Sequence, residues 1–319
     1  MNKNMNKKKK IAITTGDANG IGAEITIKAL NRLNLPTEDA VIISNKDILR
    51  HYGKITNDYK IVDIDFDKKN ILPGKITAQS GDFSFRALKK ACEMAKKGEI
   101  DAIVTAPVSK EALHLAGYKF GGQTEILQKF LAKSGQHAEM LFVANNFRVL
   151  LLTRHLPLRE VSLKKEEVVE KILNLDNFFR NKLGINTPKF ALCAFNPHAG
   201  EGGILGQEET EILQPAVDSL REKGINITNP QPADTLFINA AKEYLNKEAC
   251  KLYDCYIACY HDQGLIPIKS VASEKTVNMT IGLDIIRTSP CHGTAFDIAG
   301  ENLASANSMI EAILAAMRT

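Results

Sequence analysis

The chain reads as an α/β protein with a largely parallel core, arranged in two lobes. Three observations predict this. Short apolar runs alternate with longer stretches of helical period. Several of the helical stretches stop at a glycine able to take the left-handed cap. At 319 residues the chain also exceeds the usual size of a single core.

Strands are expected at Ile11 to Thr14, Ala40 to Ser44, Ala102 to Thr105, Met140 to Ala144, Val149 to Thr153, Phe190 to Phe195 and Tyr256 to Tyr260. Between them, residues 164–182 place Val168, Ile172, Leu175 and Phe179 on one face and stop at Gly184. Residues 81–97 and 207–223 form stretches of similar length that end at Gly98 and Gly224. No repeat, low-complexity tract or flexible linker marks a boundary, so the chain can cross between lobes more than once.

Apolar and charged fractions of 44% and 24% are ordinary for a soluble globular protein. Lys3 and Lys7 to Lys10 account for more than the whole net charge of +4, and the rest of the chain is close to neutral. A nucleic-acid-binding body is therefore not indicated, and the lysine run reads as a solvated terminus. Ile11 to Ile13 is too short for the apolar region of a secretion signal, and nothing approaches the length of a membrane span. Six cysteines are scattered, Cys250, Cys255 and Cys259 included, at spacings that fit no zinc or iron-sulfur motif. They read as reduced, buried thiols and point to a cytoplasmic protein.

Three segments each end an apolar run with a histidine: Thr153-Arg154-His155-Leu156-Pro157, Asn196-Pro197-His198-Ala199-Gly200-Glu201-Gly202-Gly203 and Tyr260-His261-Asp262-Gln263-Gly264. Ligands of parallel α/β proteins collect at the carboxyl ends of strands, where all three are expected. Neutral imidazole suits zinc and its first-row neighbours, and three protein ligands with an open position describe a catalytic metal site. Taken singly, a histidine at a strand end is more often a hydrogen-bonded surface or core residue than a ligand.

Two glycine-bearing loops stand out. Gly16-Asp17-Ala18-Asn19-Gly20-Ile21-Gly22-Ala23-Glu24 can cradle an anion on backbone amides, or can use its glycines only for a tight turn and close packing. Its spacing is not the dinucleotide fingerprint. His292-Gly293-Thr294-Ala295-Phe296-Asp297-Ile298-Ala299-Gly300, continuing through Asn307, can bind phosphates on its amides and a ribose diol through Asp297, or can be a capped surface helix. This loop resembles the adenosine-binding loop of the decarboxylating dehydrogenases for isopropylmalate and isocitrate.

The ordered set Thr14 to Gly22, Thr105-Ala106-Pro107-Val108-Ser109-Lys110, His155 to Arg159, Asn196 to Gly203, Pro232-Ala233-Asp234-Thr235-Leu236-Phe237 and Tyr260 to Gly264 resembles the 4-hydroxythreonine-4-phosphate dehydrogenase family of the vitamin B6 pathway. The motifs span almost the whole chain. The resemblance implies a two-lobed isocitrate/isopropylmalate dehydrogenase-like α/β/α fold with an interlobe cleft. It places residues 1–134 and 288–319 in a cofactor-binding lobe, and 135–287 in a lobe for metal, substrate and dimerisation. It further implies a homodimer whose active site is shared between subunits, one divalent ion per site (zinc, magnesium or cobalt) and NAD as cofactor, with NADP as the alternative.

Carried over by motif, the resemblance makes His155, His198 and His261 metal ligands drawn from both subunits, and Thr124, Lys269, Asn278 and Arg287 substrate contacts. Lys and Arg suit phosphate or carboxylate, and Asn can fix a hydroxyl. The family usually has His-Thr where this chain has Gln123-Thr124, and Gln cannot carry a positive charge. His292, Gly293, Thr294, Ala295, Asp297 and Asn307 fall in the cofactor loop. The implied reaction oxidises the secondary alcohol of a small phosphorylated amino acid, 4-phosphooxy-L-threonine, to a β-keto acid that decarboxylates. Asp234 and Asp262 are the candidate bases, and either can instead orient a ligating histidine. Rival readings are a sibling dehydrogenase for phosphothreonate, phosphoerythronate or a dihydrodiol, a metal-dependent phosphatase, and a nonenzymatic metal-binding protein.

Overall fold

The structure is a computed structural model that describes residues 9–246 and 251–319. Lys3, Lys7, Lys8 and Cys250 lie outside the described residues, while Lys9 and Lys10 are half-buried and lead into the first strand. The chain divides into two compact units, Met1–Ala138 with Val277–Thr319, and Glu139–Thr276.

The first unit begins β1 (Ile11–Thr14), α1 (Gly22–Leu33), β2 (Ala40–Ser44), α2 (Lys46–Tyr52), β3 (Lys60–Asp63), α3 (Ala78–Lys96), β4 (Ala102–Thr105), α4 (Lys110–Leu115) and α5 (Gln123–Leu131). The second unit runs β5 (Glu139–Ala144), β6 (Phe147–Leu151), α6 (Lys165–Asn181), β7 (Lys189–Leu192), α7 (Gln214–Glu222), β8 (Asn226–Ile227), α8 (Ala233–Leu245), β9 (Cys255–Ala258) and α9 (His261–Ala272). The chain then returns to the first unit as β10 (Val277–Ile281), β11 (Ile286–Pro290) and α10 (Asn307–Arg318).

Strand order in the first unit is β3-β2-β1-β4-β11-β10, parallel except for the antiparallel pair β10/β11. Every residue of β1, β2 and β4 is buried, as expected of parallel strands covered on both faces. Side chains alternate between the faces. Ile11, Ile13, Ile42 and Val104 pack with Ile25 and Leu30 of α1 and with Met309 and Ile313 of α10. On the other face Ala12, Val41, Ile43 and Ile103 meet Ala87, Leu88 and Ala91 of α3. Each large side chain so buried contributes about 1.5–3 kcal/mol. Residues 277–287, grouped by the sequence reading with the second lobe, pair into this sheet through β10 and β11.

The second unit has the order β5-β6-β9-β7-β8, parallel except for the hairpin β5/β6. Its two-residue turn, Asn145-Asn146, puts Asn145 at φ 52°, a conformation asparagine tolerates. The expected strands at 149–153, 190–195 and 256–260 end earlier than their apolar runs, because the last residues of each run already belong to the loops that leave the sheet. The expected helix over 207–223 is instead a wide π segment, Glu209–Leu213, that continues into α7. No helix among the described residues is long and apolar enough to cross a membrane.

The loop Gly16 to Gly22 resolves in favour of close packing. The amides of Asp17, Asn19, Gly20 and Ile21 donate to Pro107 O, Asp17 Oδ1, Asp17 O and Thr294 O, so none of these four is left for an anion. A Cβ on Gly16, at φ 69°, would sit 2.1 Å from Pro107 O. Asp17 is itself fully buried, accepting from Asn19 N at 2.9 Å and Ser80 Oγ at 3.2 Å. Burial pushes its carboxyl up to about 6, against the hydrogen bonds that favour the charged form.

A carboxyl whose folded pKa lies above its unfolded value of 3.8 contributes stability that is complete below pH 3.8 and lost as pH rises through 6. Asp17→Asn removes this dependence while keeping an acceptor for Asn19 N. Denaturant melts at several pH values should show the variant gaining on the wild type by about 3 kcal/mol between pH 4 and 7. A gap independent of pH would contradict the assignment.

Candidate active site

Three adjacent strands of the second unit carry the histidines. β6, β9 and β7 run parallel, with Leu151 opposite Ala258 and Leu192 opposite Ile257, so they end together at one carboxyl rim. Neighbours in such a sheet are about 4.8 Å apart. His155 lies four residues beyond β6, His198 six beyond β7, and His261 opens α9 three residues after β9. The exit loops are stapled to one another. Thr153 donates through its amide and its Oγ1 to Cys259 O, at 3.2 and 2.7 Å. Gln263 accepts from Cys259 N and donates to Ala194 O, both at 2.7 Å, tying the end of β9 to the end of β7. Gly264 lets α9 lie on the sheet, since a Cβ there would come within 2.7–2.9 Å of Leu151, Val149 and Ala258.

Two of the three imidazoles are brought together. The rings of His155 and His261 have centroids 5.5 Å apart. His261 Nδ1 lies 2.7 Å from Asp262 Oδ1, a carboxylate oxygen that accepts from it, so Nε2 is the ring nitrogen left for another partner. A carboxylate placed this way can orient a histidine ring. Asp234 is exposed in the first turn of α8 and makes no hydrogen bond to a histidine among the described residues.

His198 is exposed and is not joined to the pair; among the described residues no three His, Cys, Asp or Glu side chains converge as one ion would need. It begins a run of left-handed backbone, with φ of 50° at His198, 54° at Ala199, 77° at Gly200, 45° at Glu201 and 67° at Gly202. For the three residues other than glycine this costs about 1–2 kcal/mol each, a strain that persists only where surrounding contacts impose it. Each histidine is followed along the chain by exposed apolar side chains, Leu156 and Leu158, Ile204 and Leu205, and Ile266, with Ile204 80% exposed.

The donor set suits a borderline divalent cation. Imidazoles emerge from one rim, two within reach of a shared ion and one of these oriented by a carboxylate.

The expected substrate residues of the first unit gather at polar groups that lack partners. Arg287 is 3% exposed, donates to Thr105 Oγ1 at 2.8 Å and Thr280 Oγ1 at 3.5 Å, and meets no carboxylate among the described residues. Burial lowers its guanidinium to about 10, which leaves it charged near neutrality. Gln123 opens α5 and donates to Ala106 O at 3.2 Å. That bond fixes the amide, and its Oε1 is buried without a hydrogen-bond partner, as is Oδ1 of Asn278. Thr124 follows, half-buried. Thr105 and Ala106 are consecutive at the carboxyl end of β4, so Arg287 and Gln123 converge there. Asn278 and Thr280 share one face of β10 with Arg287 and Ser289 opposite. In the second unit, Lys269 is half-buried two turns along α9 from His261.

The cofactor-loop residues lie on the first unit against the glycine loop. Ile21 N donates to Thr294 O at 3.0 Å, and a Cβ on Gly20 would lie 3.0 Å from the same oxygen. His292 Nδ1 is 3.0 Å from Gly293 O, and Gly293 faces open space. Ala295, at φ 42°, precedes a single 3-10 turn, Phe296–Ile298, which has no side-chain cap. Asp297 lies inside that turn and is exposed, so the capping alternative does not hold. Asn307 opens α10 and accepts from Arg32 Nη1 at 3.2 Å.

Among the described residues no cysteine forms a disulfide: Cys92, Cys193, Cys255 and Cys259 are buried and Cys291 half-buried. Burial pushes the thiols of Cys92 and Cys255 up to about 12, which leaves them inert at neutral pH.

Sequence comparison places this geometry in context. A family model described as pyridoxal phosphate biosynthetic protein PdxA matches residues 8–316. A 4-hydroxythreonine-4-phosphate dehydrogenase of Sulfurihydrogenibium sp. (strain YO3AOP1) is 38% identical over 95% of this chain and 96% of its own length. A D-threonate 4-phosphate dehydrogenase of Pectobacterium atrosepticum is 37% identical over 97% of this chain and 98% of its own. The crystal structure of a 4-hydroxythreonine-4-phosphate dehydrogenase from Klebsiella pneumoniae superimposes with a TM-score of 0.85 at 35% identity, over 98% of both chains.

The packing of α9 on β6 and β9 gives a direct test of how the histidine rim is built. Gly264→Ala should force the helix outward and destabilise the protein by about 1–3 kcal/mol, read as a lowered Tm. An unchanged Tm would show that α9 has room there.

Proposed function

The chain belongs to the PdxA family of pyridoxal phosphate biosynthetic proteins, and we propose that it oxidises 4-phosphooxy-L-threonine with NAD in the vitamin B6 pathway, at a metal-assisted site shared between the subunits of a homodimer. The observation that carries this is the His155–His261 pair with Asp262 on the histidine rim. A divalent cation bound there would lower the pKa of the substrate's secondary hydroxyl, and NAD would accept the hydride.

The chain's own residues supply the rest. Arg287 and Lys269 take the phosphate and carboxylate, and the lone buried charge of Arg287 is offset when an anion binds. Gln123 Oε1 and Asn278 Oδ1, buried acceptors without partners, receive donors from the substrate's amine or hydroxyl. Asp262 holds the His261 tautomer, and Asp234 stays a candidate proton acceptor only if the substrate reaches α8. His292, Gly293, Thr294, Ala295, Asp297 and Asn307 form the cofactor loop, with Asp297 accepting from the adenosine ribose and so favouring NAD over NADP. His198, separate from the pair within one chain, serves the site of a second copy, and the exposed Leu156, Leu158, Ile204, Leu205 and Ile266 give that copy an apolar surface to cover. We read the protein as cytoplasmic, in keeping with scattered thiols that are mostly buried.

D-threonate 4-phosphate is the second reading. It carries a hydroxyl where 4-phosphooxythreonine carries an amine, Gln123 Oε1 can accept from either, and a relative with that name stands at nearly equal identity.

The test is nicotinamide reduction with a panel of both compounds, phosphoerythronate and a dihydrodiol, using NAD and NADP, with phosphate release followed in the same wells. The account expects the highest kcat/KM with 4-phosphooxy-L-threonine and NAD, and loss of turnover on chelation. A preference for D-threonate 4-phosphate would establish the second reading. Phosphate release without reduction would make the protein a phosphatase, and full activity after metal removal would exclude the cation.

A further inference from the structure

The strained turn that presents His198 is seated on a carboxylate. Glu209 is 6% exposed at the start of the π segment Glu209–Leu213, a helical irregularity that recurs at functional sites. Its Oε1 accepts the backbone N–H of Asn196 at 2.7 Å, and its Oε2 accepts from Asn196 Nδ2 at 3.0 Å. Glu208 Oε2 also accepts from Asn196 Nδ2, at 2.7 Å.

The middle of the turn lies on the same carboxylate, since a Cβ on Gly200 would be 2.8 Å from Glu209 Oε2. Leu205 N donates to Gly200 O at 3.1 Å and closes the turn. Glu209 therefore holds the residue that enters the turn and supports its centre. Left-handed backbone is unfavourable for Ala199 and Glu201 in particular, and these contacts hold the turn in that conformation.

We propose that Glu209 is a positioning residue which, by clamping Asn196 and seating Gly200, fixes His198 in the orientation that binds a divalent cation. This rests on the metal-binding reading given above. The experiment is titration of the metal-free homogeneous protein with Co²⁺, followed by visible absorption, for wild type, Glu209→Gln, Asn196→Ala, His198→Ala and the Glu209→Gln/His198→Ala double variant.

Loss of a group that orients a ligand typically weakens metal affinity about 10–100-fold. Glu209→Gln and Asn196→Ala should each fall in that range, and Glu209→Gln should have no further effect once His198 is Ala. That non-additivity separates positioning from general destabilisation, which would act in both backgrounds. Asn196→Ala keeps the buried carboxylate and its bond to the Asn196 amide, so the same cycle can be run with it if Glu209→Gln does not fold. Wild-type Co²⁺ affinity in both Glu209→Gln and Asn196→Ala, or an equal loss in the His198→Ala background, would overturn the positioning role. Wild-type affinity in His198→Ala itself would overturn the metal reading, and the proposal with it.

Discussion

The parallel alignment of β6, β9 and β7 is the constraint on which the candidate chemistry depends. Three parallel strands whose ends lie within a residue of one another in the ladder deliver their following residues to the same rim. Thr153 and Gln263 extend the order past the last ladder bonds, into loops that would otherwise be free to splay. A rim made this way needs no long-range design for each histidine. One register and two staples set where all three chains of residues leave the sheet.

Around this frame the protein keeps several features that stability alone would remove. A buried guanidinium without a carboxylate, two buried amide oxygens without donors and three residues other than glycine in left-handed backbone all oppose folding. In the first unit they are offset by β1, β2 and β4, which are buried over their whole length between helices. Among the buried polar atoms without partners, Gln123 Oε1 is held near the end of β4 and Asn278 Oδ1 lies on β10, while others lie on α1 and α6; the strain lies after β7. At the first two a polar ligand would supply the missing partners. Asp17 differs, since its hydrogen bonds organise a loop whose amides are already occupied.

The local features were legible in the sequence. Apolar runs of four or five residues located β1, β2 and β4 to the residue, and Gly98 and Gly224 do take positive φ at the ends of their helices. The histidine motifs could be read because each is contiguous. β10 and β11 escaped because Val277-Asn278-Met279-Thr280-Ile281 and Ile286-Arg287-Thr288-Ser289-Pro290 mix polar residues into strands that fold buries, and Arg287 looks like a surface side chain until its pairing is known. β3 and β8 are short, at the ends of their strand orders, and carry little apolar signal. The antiparallel hairpin β5/β6 was not legible, because its turn, Asn145-Asn146, carries no glycine to mark it. Glu209 had no local signature at all. Its role comes from a π segment and a contact to Asn196, thirteen residues earlier.

The central claim is that the rim beyond β6, β9 and β7 is a metal-binding reaction centre. Anomalous diffraction at the cobalt edge from cobalt-loaded crystals tests it most directly. The account predicts a single strong peak per subunit, about 2.0–2.2 Å from ring nitrogens of His155 and His261, with His198 of a second copy as the third nitrogen. A peak bound elsewhere, or none at the rim in crystals that contain stoichiometric cobalt, would contradict it.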